Sequence, residues 1–182
     1  MANARFEALF NTNNHEVGTI NTSWAKPITN GAILTGDNAD NYTLVEEAGF
    51  DSEGNRLCKP LTSNTVKGFI LSTNEEEALF GDGELQGNYT DFYNKEGDMC
   101  NLIIQEPYLR FETSAFTKNA GLTAVAVGNV AHYDVTTKKY IVSAVGSEHA
   151  DYDSSANKYL VVGVDTDFGV NLGVTTIRLE CK

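Results

Sequence analysis

"LTAVAVGNVAHYDVTTKKYIVSAV", Leu122 to Val145, is the stretch on which the reading of the fold turns. Two valine-rich runs, Leu122 to Tyr133 and Lys139 to Val145, flank the polar turn "DVTTK", and this arrangement predicts a β-hairpin. Within "VAHYDV" apolar and polar positions alternate, the period of a strand with one face buried, which puts His132 on the polar face as a surface residue. Downstream, Lys158 to Val164 ("KYLVVGV") and Gly173 to Cys181 ("GVTTIRLEC") read as two further strands. Upstream, Asn101 to Phe116 divides into two strands at Pro107, because proline cannot donate to a sheet ladder. Val66 to Ser72 is another strand, with Gly68 marking a bulge or a close backbone approach. Ala32 to Leu34 and Tyr42 to Val45 form the first pair. Eight to eleven strands result, and only Ala4 to Phe10 and Glu75 to Phe80 are short helical candidates. The chain is therefore expected to be all-β.

With 182 residues there is room for one domain or two small ones. Residues 1–25, with an apolar cluster at Phe6, Leu9 and Phe10 and the single tryptophan Trp24, read as an extended N-terminal arm. Residues 26–182 read as a β-rich body, with a boundary between two β subdomains near residue 117. The 13 basic and 25 acidic residues give a net charge of −12, which disfavours nucleic acid and anionic membranes as partners. No run of about 18 apolar residues is present and the start lacks a basic region followed by an apolar block, so synthesis in a cytoplasm is expected. Cys58, Cys100 and Cys181 are odd in number and far apart, which reads as three buried thiols.

Chemistry is hard to find. Gly31 and Gly36 around "AILT" fail as a phosphate cradle, since no G-x-x-x-x-G-K-[ST] leads into a helix and Asp37 would repel the ligand. They read as turn glycines that bound the first strand of the body. His15, His132 and His149 are scattered, and no metal ligand set is expected from them. The acidic turns at Gly36–Asn41, Asp151–Asn157 and Asp165–Phe168 do not match a helix-flanked calcium loop. No nucleophile elbow is present, and no enzyme or cofactor is expected. The rings of Tyr89, Phe92 and Tyr93 in "GNYTDFYNKEG" are either a glycan platform or a loop tucked by its own aromatics, and the second reading is favoured.

"KPITNGAILT" followed by an acidic excursion and "PLTSNTVKGFILST" resembles the core of the decoration, or cement, proteins of tailed-phage capsids. Ile28, Gly31, Ile33 and Leu34 match one family motif, and Val66, Gly68, Phe69 and Ile70 a second. The resemblance implies a compact β-barrel or β-tulip. It also implies a structural role on the virion exterior: binding the major capsid protein, bridging its subunits and stabilising the expanded shell, commonly as a homotrimer. The arm, through Phe6, Leu9, Phe10 and Trp24, is the implied anchor. The valine-rich second half departs from the compact members of that family. Alternatives are a glycan-binding β-sandwich on a virion or cell surface, or a tail-tube or head-fibre subunit.

Overall fold

A computed structural model describes residues 16–20, 25–28, 31–73, 92–168 and 174–182. The chain is all-β, with twelve strands and no helix among the described residues. They are β1 (Gly18–Ile20), β2 (Ala32–Leu34), β3 (Leu44–Phe50), β4 (Arg56–Pro60), β5 (Phe69–Ser72), β6 (Met99–Ile103), β7 (Arg110–Thr113), β8 (Phe116–Lys118), β9 (Val130–Asp134), β10 (Lys139–Ser143), β11 (Lys158–Phe168) and β12 (Val174–Cys181). Strands β2-β4-β3-β5-β6 close into a barrel, β6 pairing back onto β2. The others form a seven-stranded sheet in the order β1-β7-β12-β11-β9-β10-β8. Only the β2–β4 and β8–β10 pairs are parallel.

Inside the barrel, Ala32 and Leu34 of β2 point inward by the two-residue period and meet Val45, Cys58, Leu71, Cys100 and Leu102. Cys58 and Cys100 flank β2 on opposite sides, and both are free thiols in the barrel core. Gly31 and Gly36 bracket β2 with φ of 58° and 82°. A side chain at Gly31 would place its first carbon 2.1 Å from the Cys100 carbonyl oxygen, whereas Gly36 has open space around it.

The second core joins barrel to sheet. Tyr42, Leu44, Leu61, Ile70 and Ile103 from the barrel side pack with Phe111, Tyr133, Tyr140, Tyr159, Ile177 and Leu179 from the sheet. Tyr140 meets Tyr133 and Tyr159 edge-on, each at 5.1 Å between ring centres. Buried hydroxyls need partners, and both are satisfied: Tyr140 Oη donates to the Tyr42 carbonyl at 2.8 Å and Tyr159 Oη to Gln105 Oε1 at 2.5 Å. Each such side chain contributes about 1.5–3 kcal/mol by leaving water.

Three features differ from the sequence reading. Residues 122–129 are irregular rather than strand, because Gly128 turns with φ 92° and Asn129 Oδ1 caps the turn from Ala126 N at 2.8 Å. Strand β4, "RLCKP", was not foreseen; only Cys58 points into the barrel, leaving no apolar alternation to read. His132 is fully buried, not a surface residue, because the loop after β10 covers the second face of β9. The helical candidates at 4–10 and 75–80 lie outside the described residues.

Candidate partner interface

Strand β1, within the segment read as an arm, belongs to the chain's own sheet. Val17 is buried, and Glu16 holds the segment down through Ser114 Oγ at 2.6 Å and Lys139 Nζ at 2.6 Å. Gly18 is what lets β1 approach β7. A first side-chain carbon there would lie 2.0 Å from the Glu112 carbonyl oxygen and 2.6 Å from the Tyr42 ring. Ser114 N donates to the Val17 carbonyl at 2.8 Å, so the alternation of an antiparallel ladder aims the backbone groups of Gly18 and Ile20 away from β7. Among the described residues no strand pairs with that outer edge. An unpaired edge is a template for an added strand from another chain.

Beside the edge lies a groove of about 360 Å³ lined by Thr19, Ile20, Arg110, Phe111, Glu112 and Arg178. The cross-strand pairs Thr19–Glu112, Arg178–Glu112 and Glu180–Arg110 put the polar members on one face. Glu112 is buried, and a buried carboxylate is costly unless bonded. Thr176 Oγ1 donates to its Oε1 at 2.5 Å and Arg178 Nη2 to its Oε2 at 2.9 Å. Arg110 Nε donates to Glu180 Oε2 at 2.6 Å. Both arginine side chains remain more than half exposed, at 58% and 54%, so their planar forks keep N–H groups for an incoming acceptor.

Of the residues singled out from sequence, Phe6, Leu9, Phe10, Trp24 and Tyr89 lie outside the described residues. Gly68 sits where barrel backbone meets the sheet. Its N–H donates to Asn157 Oδ1 at 3.0 Å, its carbonyl accepts from Gln105 Nε2 at 2.7 Å, and an added carbon would press on Leu44 and the Val45 carbonyl at 3.2 Å. Asn157 also donates through Nδ2 to the Val66 carbonyl at 2.7 Å. Sequence reasoning missed Asn157, Gln105, Glu112 and Arg178. The one available signal was Glu112, a charge inside the strand "RFET".

Phe92 and Tyr93 are buried, which is the tucked-loop arrangement; those two rings form no exposed platform. Among the described residues no three His, Cys, Asp or Glu side chains converge as metal ligands, and in the first acidic turn Asp40 instead accepts from Glu16 N at 3.0 Å. Burial pushes the Cys58 and Cys181 thiols up to about 12, so neither is a ready nucleophile.

A sequence profile of the YonC prophage protein family matches residues 11–182. The SPbeta prophage-derived uncharacterized protein YonC of Bacillus subtilis (strain 168) is 41% identical over 181 residues, covering 99% of this chain and 98% of the relative. No solved structure matches. With the match running from ahead of β1 to the end of β12, the chain belongs to the YonC prophage protein family.

Proposed function

We propose that this phage-derived chain is a structural virion protein that binds the outer surface of the capsid and bridges major capsid subunits as a homotrimer. It is made in the host cytoplasm and needs no cofactor. The observation that carries the reading is β1, an edge strand with outward backbone groups beside two half-exposed arginines, directly after the N-terminal segment. Membership of a prophage protein family and an all-β fold support it. The net charge of −12 suits a densely decorated particle, since like-charged surfaces resist clumping.

The test is sedimentation of the purified protein with expanded capsids of the parent phage, alongside its solution mass by light scattering. The expected result is saturable occupancy and a trimer. Trp24→Ala and Arg110→Glu are each expected to lower occupancy at least tenfold while leaving the circular dichroism spectrum unchanged. Absence of co-sedimentation with a folded protein would overturn the capsid role, and closed rings formed by the protein alone would favour a tail-tube subunit.

A further inference from the structure

We infer that the loop 144–157 is an acid-released flap, held shut over a neutral, fully buried His132. The inference does not depend on the capsid role. His132 lies on β9 with its ring on the face opposite Tyr133, and it is 0% exposed. A neutral imidazole has one N–H donor and one lone pair. Neither ring nitrogen has a hydrogen-bond partner among the described residues, the one such case for their buried side-chain nitrogens and oxygens. Orphaned buried groups of this kind are rare, and each calls for a physical reason.

The loop supplies the roof. The His149 ring stacks on His132 at 5.2 Å with 28° between planes, and Tyr152 meets it edge-on at 6.0 Å. Polar contacts tie the roof down, among them Asn119 Nδ2 donating to the Ser147 carbonyl at 3.2 Å and Lys158 Nζ to the Asp153 carbonyl at 2.9 Å. His149 N donates to Ser143 Oγ at 3.1 Å, and Lys182 Nζ donates to Tyr152 Oη at 3.2 Å. Lys158 Nζ stands 5.2 Å over the Tyr152 ring, and Ala156 N donates to the Asn64 carbonyl at 2.8 Å.

The charged groups facing His132 come from three elements. Asp134 is on its own strand, Lys158 is its partner on β11, and His149 and Asp151 are on the loop; on β10 it faces the uncharged Ile141. Desolvation is the largest influence and, with His149 and then Lys158, lowers the proton affinity of His132; Asp151 and Asp134 oppose it. Closed, the ring is harder to protonate than an exposed histidine, whose ordinary value is about 6.5. The closed state is therefore at full strength above about pH 6.5 and weakens as pH falls through it, by up to tenfold in the open-to-closed ratio per pH unit. Opening admits water to both ring nitrogens.

The experiment is hydrogen exchange by mass spectrometry on the full chain from pH 7.5 to 5.0, with the intrinsic pH dependence of exchange divided out. Protection of peptides within 144–157 is expected to fall by up to about fivefold between pH 6.5 and 5.5 in the natural protein. In His132→Phe, which keeps a ring but cannot be protonated, it is expected to stay flat. Should that variant not fold, ring-carbon NMR titration of the natural protein decides: the His132 signal should titrate below the ordinary histidine range. Constant protection across the range, or His132 titrating at or above about 6.5, would overturn the flap.

Discussion

Asn157→Ala should rank among the costly single hydrogen-bonding changes in the described residues. Asn157 is fully buried, and its amide makes three bonds: Oδ1 accepts from Gly68 N at 3.0 Å and Gln105 Nε2 at 2.9 Å, and Nδ2 donates to the Val66 carbonyl at 2.7 Å. Removing it strands the Gly68 N–H and frees the Val66 carbonyl, while Gln105 keeps the Gly68 carbonyl at 2.7 Å. Leaving a buried donor without a partner costs about 1–3 kcal/mol; the Gly68 bond is buried, whereas Val66 is 42% exposed and its carbonyl can turn to water, so the loss is about 1–3 kcal/mol, with a central value near 2. Against a total stability of about 5–15 kcal/mol that is a large fraction. For a domain of this size it lowers Tm by about 4–8 °C. The assay is urea unfolding followed by circular dichroism, with the midpoint and slope fitted together. Asn157→Asp is the control; it keeps the acceptor, loses the donor and adds a buried charge, so it should cost at least as much. A loss under about 1 kcal/mol for the alanine variant would mean that water replaces the amide and that the junction does not hold the two sheets as described.

Gly31→Ala should destabilise by at least about 3 kcal/mol, since a positive φ and a 2.1 Å clash with backbone coincide, whereas Gly36→Ala should cost only about 1 kcal/mol for its φ; comparable midpoints in thermal melts of the two would refute the distinction. A disulfide-exchange reagent at pH 8 should label none of the three cysteines in the folded protein and all three in denaturant, because all are buried and desolvation holds Cys58 and Cys181 near 12. Arg178→Ala should cost about 1–3 kcal/mol by leaving the buried Glu112 with Thr176 alone, and Glu112→Gln in the same background should recover part of it; a neutral first substitution in urea melts would show that solvent already satisfies the carboxylate.

The β-rich class was legible because valine and aromatic runs recur between turn residues, and the hairpin of β9 and β10 was the clearest case. Its turn is written in the sequence: the Asp134 carboxylate accepts from Thr136 N at 3.3 Å and from Thr137 N at 3.0 Å. What was not legible depends on partners distant along the chain. Strand β1 has three residues and exists because Gly18 fits against Glu112, which no local pattern announces. The groove exists because β7 pairs with both β1 and β12, a strand order that periodicity does not encode.

Alternation along a strand tells which positions share a face; it cannot tell whether a face meets water or a second layer. His132 shows the consequence. The period-two pattern of "VAHYD" reads as one wet face, yet four of its five residues are buried because a polar loop, not an apolar sheet, covers the other side. A loop of this composition, "AVGSEHADYDSSAN", gains little from apolar burial, so polar and aromatic contacts must hold it. The same residues that make the cover hard to read from sequence, histidine, aspartate and tyrosine, are those whose protonation or hydrogen bonding can release it. At Asn157 the loop becomes the clamp on Gly68, 89 residues away, so the least legible segment is also the one that couples the two sheets.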